Sequence, residues 1–315
     1  MLKCDEKGLR IIIPTLEAEK HITSLLDMIE ESFKRTDLSI LQICIIDSNS
    51  SDDTIDIVKK VSKKTFVLHE NKFNHGKTRN VAACFTDHEK FEILLFMTQD
   101  VIPSNKDWLR NLIAPIRSGK AVATFARQLP RSEASLLEQF SRYFNYPEHS
   151  QSRIAADIER LGVKAFFFSN VCSAVRADVF WEVGGFPEDV IMNEDMTLAA
   201  KLLRAGHTIR YVAESEVIHS HDYTLKQQFR RNFDVGAFFA DAGPELNGAS
   251  VSGEGLRFVQ EQMRYVWRHR RADLLPLVIV EAAAKFTAFQ LGKRHHFLPL
   301  SLKKKLSMHS YHWDQ

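Results

Sequence analysis

Three acidic positions in the first two thirds of the chain could carry chemistry, because each stands near the end of an apolar run or at the start of a helix. Asp47 directly follows the run ICII, and its carboxylate could accept a hydrogen bond from the N3–H of uracil or thymine. Asp100 comes shortly after the run ILLFM, where it could hold Mg²⁺ or Mn²⁺ on the oxygens of a diphosphate. Asp195 and its neighbour Glu194 could remove a proton from an attacking hydroxyl.

Each acid also has a structural interpretation. Acids in the first turn of a helix interact favourably with its dipole, and this would explain Glu194 and Asp195 equally well. A single acid after a strand, such as Asp100, is weak evidence for a metal. Asp47 precedes a turn and caps no helix, so a functional role is favoured there.

Two further polar segments could contact phosphates or a metal. Residues 73–80 (FNHGKTRN) predict a loop that enters a helix, with Lys77 and Arg79 as its cations. His219 and His221 follow a strand-like run, and a His-x-His pattern in a strand places both imidazoles on one side. Simple solvation of the basic loop and a structural role for the histidines are the alternatives.

The elements that must position these residues form an alternating pattern. Short apolar runs at 11–13, 41–46, 66–68, 93–97 and 122–125 predict strands, and helical patterns separate them. This alternation predicts an α/β fold with a mostly parallel sheet flanked by helices. Ligands bind beyond the carboxyl ends of the strands in such sheets, so we expect the acids to meet at that edge.

The last third of the chain has a different character. Helices are predicted at 227–242, 256–267 and 274–291, with a glycine-containing linker at 243–255. The net charge of the whole chain is only +2, which argues against nucleic acid as a partner, but Lys and Arg outnumber the acids after residue 263. This excess favours contact with an anionic membrane surface. The apolar run that contains Glu281 and Lys285 is predicted to be too short to span a bilayer.

The ordered set of segments resembles family 2 glycosyltransferases, and more narrowly the bacterial rhamnosyltransferases that build surface polysaccharides. The segments that carry the resemblance are residues 11–16, IIDSNSSDDT at 45–54, FNHGKTRN at 73–80, FMTQDVIP at 96–103, SNVCSAVRADVFWEVGGF at 169–186, NEDM at 193–196 and HSHDYT at 219–224. The resemblance implies a GT-A fold, with a catalytic domain at 1–224. Residues 225–315 are then expected to form an α-helical C-terminal extension.

The resemblance also implies inverting transfer with a divalent cation, Mg²⁺ or Mn²⁺, as cofactor. It makes Asp195 the catalytic base with Glu194 beside it, and Asp100 and His221 the metal ligands. The implied donor-binding residues are Thr15, Glu17, Asp47, Asn74, His75, Gly76, Lys77, Arg79, Asn80 and Gln99. The chain departs from the family's DxD metal motif, because TQD at 98–100 keeps only its last acid.

By the same resemblance, the donor is dTDP-L-rhamnose and the acceptor is a lipid-linked saccharide of O-antigen synthesis. The expected location is cytoplasmic, peripheral on the inner face of the cytoplasmic membrane. For the C-terminal helices, packing on the catalytic domain and packing on a second copy of the chain in a homodimer are the alternatives to membrane contact. A UDP-sugar transferase of the same fold and an inactive nucleotide-sugar-binding scaffold are the rival functions. A dinucleotide-dependent enzyme is disfavoured, because Pro14-Thr15-Leu16 stands where a G-x-G-x-x-G would follow the first strand.

Overall fold

The computed structural model describes residues 8–61, 65–69, 73–85, 90–247 and 253–314. The strands are β1 (Gly8–Thr15), β2 (Ile40–Asp47), β3 (Thr65–His69), β4 (Phe91–Met97), β5 (Ile102–Pro103), β6 (Ala123–Leu129), β7 (Gln151–Arg153), β8 (Cys172–Arg176) and β9 (Ile209–Ile218). The helices are α1 (Ile22–Phe33), α2 (Thr54–Val61), α3 (His75–Cys84), α4 (Trp108–Arg117), α5 (Leu136–Asn145), α6 (Asp157–Leu161), α7 (Ala177–Glu182), α8 (Glu194–Arg204), α9 (Leu225–Ala240), α10 (Glu254–Arg268), α11 (Leu275–Gly292) and α12 (Leu300–Leu306).

The described strands form one mixed sheet in the order β3-β2-β1-β4-β8-β6-β9-β5, and β7 pairs with β9 outside this path. β1 to β4 pair in parallel, as the alternating pattern predicts. β8 runs antiparallel to both β4 and β6, and β5 and β7 run antiparallel to β9, whereas β6 and β9 pair in parallel and keep the direction of β4. The α/β class is confirmed, whereas the direction of β8 could not follow from hydrophobic patterning, which does not encode strand orientation.

Both faces of the sheet are covered by helices, and this explains why the central strands are continuously apolar. Successive residues of β1 enter opposite cores: Ile11 and Ile13 pack with α1 and α4 on one face. Ile12 packs on the other face, with residues of α3, α7 and α8.

Several loops meet at one edge of the sheet. β1, β2 and β4 are parallel and end there, and the register pairs Thr15 directly with Asp47. β8 begins at the same edge, since Cys172 pairs with Met97 at the end of β4. β6 and β9 end together, because Leu129 pairs with Ile218. The segments before β8 and after β9 therefore join the three predicted loops at this edge.

The C-terminal helices agree with the prediction as α9, α10 and α11, although residues 248–252 of the expected linker lie outside the described residues. Two glycines bring α9 and α11 into close contact. A Cβ atom on Gly292 would lie 2.0 Å from the backbone oxygen of Phe233, and one on Gly236 would lie 2.2 Å from that of Phe289. Only glycine permits this separation, so the backbones of α9 and α11 pack directly against each other at these two positions.

The helical stretch Ala272–Gly292 is longer than the apolar run in the sequence indicates. It has 21 residues and a mean hydropathy of 1.5, which is long and apolar enough to cross a membrane by length and composition. The expectation that this segment is too short was therefore wrong, because a preceding 3₁₀ turn and the last helical turn extend it. Within α11, Lys285 Nζ lies 3.3 Å from Glu281 Oε2. Only 17% of the stretch is buried, and Ile279, Val280 and Phe286 are exposed.

Candidate active site

Two cavities open at the edge of the sheet where the loops meet. The larger, of about 680 Å³, is lined by the turns after β1, β2 and β4 and by α3. The smaller, of about 360 Å³, is lined by the segment before α8, by the segments before β8 and after β9, and by α3. His75, Arg79 and Thr98 line both cavities. A ligand of the size of a nucleotide sugar could extend from one cavity into the other past these three residues.

Asp47 lies behind the wall of the larger cavity, where it binds residues at the end of β1 and in the turn after β2. It is 1% exposed, and its carboxylate accepts hydrogen bonds from Thr15 Oγ1 (2.9 Å), Ser50 N (2.8 Å) and Ser50 Oγ (2.6 Å). Thr15 and Ser48 are the residues that line the cavity at this point. The contact between Asp47 and a pyrimidine stays a prediction, and the geometry shows that Asp47 orders the loop after β2.

Gln99 and Glu17 hold the turn after β1. Gln99 pairs with the backbone of Leu16 in both directions, since Oε1 accepts from the amide and Nε2 donates to the carbonyl, each at 2.7 Å. Glu17 adopts a left-handed backbone conformation, and its Oε1 accepts from the Ser51 amide and hydroxyl at 2.8 and 3.0 Å. Gln99 also lines the larger cavity, whereas Glu17 is exposed outside it.

Two asparagines of the 73–80 motif attach α3 to the loop that precedes α8. Asn74 accepts from the first amides of α3 and donates to the carbonyl of Glu188 at 2.8 Å. Asn80 accepts from the Phe186 amide at 3.0 Å and donates to the Phe186 carbonyl at 2.9 Å. Both asparagines therefore position the elements around the site.

His75 and Arg79 are the residues of this motif that line the cavities. Arg79 Nη1 donates to the carbonyl of His75 at 2.8 Å and lies 3.2 Å from Glu194 Oε1. Burial lowers the pKa of His75 to about 4, so its imidazole is neutral. Lys77 is exposed and lines neither cavity. Of the two predicted cations, Arg79 is thus the one placed at the site.

Gly76 of the same motif packs against the loop before α8 and gives a test of this attachment. A Cβ atom there would lie 1.8 Å from the backbone oxygen of Pro187, so Gly76→Ala should destabilise the protein by about 1–3 kcal/mol. Thermal unfolding measures the effect. Gly255→Ala is the matched control, because a Cβ atom built there has no neighbour within 4 Å among the described residues and alanine favours helix. Equal melting temperatures for both variants would contradict the close packing.

The two acids at the start of α8 occupy different environments. Glu194 is buried, and its Oε1 lies 3.2 Å from Arg79 Nη1 and accepts from Asn170 Nδ2 at 3.0 Å. Asp195 accepts from the amides of Asn170 and Met196 at 3.2 and 2.8 Å. Among the described residues, no cation forms a salt bridge with Asp195, and it lines the smaller cavity.

These environments move the two pKa values in opposite directions. Burial raises the pKa of Asp195 to about 7, and the charge of Glu194 adds to the effect. Burial also acts against ionisation of Glu194, but the charge of Arg79 and the hydrogen bond from Asn170 lower its pKa. Of two such acids, the one that titrates near neutrality is the one suited to exchange a proton at neutral pH.

Asp195 must be ionised to accept a proton, so the pH dependence of the rate tests its role. Below about pH 7 the carboxylate becomes protonated, and kcat/KM should fall about tenfold per pH unit. In Glu194→Gln the neighbouring negative charge is gone, which lowers the pKa of Asp195, so the acid limb should move to lower pH. An acid limb near pH 4 in the unmodified protein would contradict this assignment.

Asp100, His219 and His221 form a group suited to a divalent cation. Asp100 Oδ2 lies 3.4 Å from Nε2 of each histidine, and two ligands that share an ion at about 2.1 Å lie about 3.0–3.4 Å apart. Burial acts against ionisation of Asp100, but its polar contact with His219 holds the pKa of this carboxyl below the usual range. Burial lowers the pKa of His221 to about 4, so this imidazole is neutral, as a ligand must be.

The surroundings of His219 fix which nitrogen faces Asp100. Gln128 Oε1 accepts from Arg142 Nη1 at 2.5 Å and lies 3.1 Å from His219 Nδ1, which therefore carries the proton. The lone pair of Nε2 is left for an ion, an arrangement typical of metal-binding histidines. The residues present thus fit a divalent cation. The described residues contain one further such group, Asp241, His295 and His296, which lines neither cavity.

Several residues at the site were missed by the sequence analysis. His219 was considered beside His221, but its orientation depends on Gln128, which carries no motif. Tyr311 and His309 line the larger and the smaller cavity, respectively, although they lie far along the chain from every recognised segment. No signal in the sequence identifies these two residues.

Comparison with known proteins places the chain among enzymes of one family. The family model described as "Glycosyl transferase family 2" matches residues 10–184. The O-antigen chain rhamnosyltransferase RfbN of Salmonella typhimurium is 36% identical over 96% of this chain and 95% of its own length. The O-antigen chain rhamnosyltransferase WbaN of Salmonella anatum is 37% identical over 87% of this chain and 86% of its own.

A solved structure supports the fold independently of close sequence identity. The mannosyltransferase PcManGT of Pyrobaculum calidifontis, in complex with GDP-mannose and Mn²⁺, superposes with a TM-score of 0.57 at 17% identity, covering 96% of this chain and 84% of that one. The predicted GT-A fold is confirmed. With more than half of its length matched by the family model and a relative aligned over nearly all of it, the chain belongs to glycosyl transferase family 2.

Proposed function

We propose that this enzyme transfers L-rhamnose from a nucleotide-diphosphate donor to a hydroxyl of a lipid-linked saccharide during O-antigen synthesis. The relatives that align over most of the chain are O-antigen chain rhamnosyltransferases. The observation that carries the chemistry is one cavity that contains both Asp195 and the histidines of the candidate metal group. A general base and a cation site are the two components that direct displacement of a diphosphate requires.

In this mechanism Asp195 removes the proton from the acceptor hydroxyl as the oxygen attacks the anomeric carbon. The amides of Asn170 and Met196 hold the carboxylate in place. The bond from the anomeric carbon to the diphosphate oxygen breaks on the opposite face, so the configuration inverts. A divalent cation held by Asp100, His219 and His221 would offset the charge that develops on the departing diphosphate. Arg79, which lines both cavities, adds a fixed positive charge.

The donor nucleotide is proposed to be dTDP. UDP is the rival, because thymine and uracil present the same N3–H to the protein. The test is a transfer assay with dTDP-L-rhamnose, UDP-glucose and UDP-N-acetylglucosamine, in the presence of Mn²⁺ and a lipid-linked saccharide. Formation of the product and release of dTDP are expected with dTDP-L-rhamnose. Turnover of a UDP-sugar instead would select the rival donor, and donor binding without turnover would select the inactive scaffold.

The exposed side of α11 is proposed to lie on the membrane surface, where the acceptor is held. Ile279, Val280 and Phe286 are exposed there, and Lys293 and Arg294 follow the helix. An apolar face next to cationic residues is the pattern of interfacial binding to anionic lipids.

Flotation with vesicles of phosphatidylglycerol and phosphatidylcholine tests this surface. Phe286→Ser should weaken binding to anionic vesicles by about tenfold or more, since a large apolar side chain contributes about 1.5–3 kcal/mol on burial. Ile154→Ser, at an exposed apolar position of the catalytic part, is the control and should bind normally. Absence of binding together with dimers in analytical ultracentrifugation would indicate that the face contacts a second copy of the chain.

A further inference from the structure

The C-terminal segment 307–314, called here the C-terminal strap, borders both cavities. Tyr311 and Asp314 line the larger cavity, and Met308 and His309 line the smaller one. A donor that extends from one cavity into the other must pass along this segment. The mechanism described above assigns the strap no role, although it contributes to both walls.

One buried acid attaches the strap to α9. Asp234 is 0% exposed, and its Oδ2 accepts from the amides of Met308 and His309 at 2.8 and 3.0 Å. The same oxygen lies 3.0 Å from His309 Nδ1. A buried carboxylate is costly unless it is hydrogen-bonded, so these three contacts specify one position for the strap. They also engage Nδ1 of His309 and leave Nε2 as the ring nitrogen that a ligand can reach.

Aromatic contacts connect the strap to the 73–80 motif. The ring of His309 lies 4.9 Å from that of His75, and the ring of Tyr311 lies 6.4 Å from that of Phe73, both edge to face. Tyr311 and His309 also contact each other, with ring centroids 5.8 Å apart. The strap and α3 thus form one continuous wall beside Arg79. Burial raises the pKa of Tyr311, so its hydroxyl keeps its proton and can donate to an anionic ligand.

We propose that the C-terminal strap binds the diphosphate and sugar portion of the donor, with the Tyr311 hydroxyl donating to the diphosphate and His309 Nε2 accepting from a sugar hydroxyl. Asp234 is the residue that positions the strap. This inference rests on the proposed function, because the ligand is the nucleotide sugar. It follows that the catalytic part alone lacks one wall of its donor site. The C-terminal region is then required for donor binding independently of any membrane contact.

The test measures donor binding and kinetics of the full-length protein with Mn²⁺ present. Calorimetry with dTDP and dTDP-L-rhamnose should show about tenfold weaker binding of the nucleotide sugar for Tyr311→Phe, the loss expected when one hydrogen bond to a charged group is removed. His309→Ala should weaken binding of the nucleotide sugar by about three- to tenfold, the loss of a hydrogen bond between neutral groups. Asp234→Asn should raise the KM for the donor and leave the KM for the acceptor unchanged. The controls are Tyr143→Phe and His149→Ala, which change exposed residues outside both cavities.

Hydrogen exchange provides a readout that does not depend on any substitution. Binding of dTDP-L-rhamnose should slow amide exchange in residues 307–314 of the unmodified protein. Donor affinity within twofold of the unmodified protein for both Tyr311→Phe and His309→Ala would overturn the proposal, as would unchanged exchange in the strap. If the unmodified protein binds neither dTDP nor the nucleotide sugar, the proposed donor is wrong. If all variants bind the donor as the unmodified protein does, the donor is right and the role of the strap is wrong.

Discussion

Asp195→Asn should lower the rate of sugar transfer by about 10²–10⁴-fold while donor binding stays close to that of the unmodified protein. Asparagine keeps the shape of the side chain but cannot accept the proton of the acceptor hydroxyl. The substitution also removes the repulsion between Asp195 and Glu194, which lie in a buried environment where like charges disfavour each other. Asparagine has only one acceptor atom, however, and leaves the amide of either Asn170 or Met196 unpaired. Because these two effects oppose each other, we expect the melting temperature to change little. Steady-state kinetics, calorimetry with the donor and thermal unfolding measure the three quantities.

Asp178→Asn is a matched control for this variant. Asp178 is also an acid in the first turn of a helix, α7, but it is exposed and pairs with Arg176. Its replacement should leave the rate unchanged. If Asp195→Asn retained near-normal turnover, the base would have to be another group. A large fall in melting temperature would instead mean that the Asp195 carboxylate has mainly a structural role.

His219→Ala should have the second largest effect, because it removes a ligand from the candidate metal group together with its contact to Gln128. We expect Mn²⁺ affinity to fall by at least about tenfold and the rate at a fixed Mn²⁺ concentration to fall with it. Two imidazoles and one carboxylate form a site with more nitrogen than Mg²⁺ prefers, so Mn²⁺ should support a higher rate than Mg²⁺. Metal titrations by calorimetry and by activity give both results.

His296→Ala is the control for the metal experiment. It disrupts the other group that could hold an ion, Asp241 with His295 and His296, and should change neither the rate nor its dependence on Mn²⁺. The reverse pattern, with His296→Ala sensitive and His219→Ala normal, would place the functional cation in the C-terminal region. Full activity of the unmodified protein in excess chelator would exclude a cation from the mechanism altogether.

The sequence was sufficient to predict the strand ends and the acids that gather around them. β1, β2 and β4 read as continuous apolar runs because both of their faces are buried, and the loops after parallel strands meet by geometry. The resemblance to the family selected Asp195 as the base, but the pattern of residues by itself could not distinguish the environment of Glu194 from that of Asp195. That distinction comes from Arg79, which pairs with Glu194 alone and reaches it from another helix.

Other parts of the site depend on contacts between distant segments. The orientation of His219 depends on Gln128 and Arg142, which lie in β6 and α5. The position of Tyr311 depends on Asp234, which in the sequence reads as an ordinary polar residue of an amphipathic helix. Local patterns specify elements, whereas these contacts arise only when α5 and α9 pack beside the sheet. These contacts therefore cannot be predicted from local sequence patterns.

The glycine contacts between α9 and α11 restrict how this protein could enter a lipid bilayer. If α11 inserted across the hydrocarbon core of the bilayer, it would have to separate from α9 at Gly236 and Gly292. The close backbone packing between the two helices would then be lost. The same α9 carries Asp234, so such a separation would also disturb the C-terminal strap that this residue holds. Peripheral binding, with the exposed side of α11 on the lipid headgroups, would leave α9 and α11 packed together and the catalytic cleft unchanged.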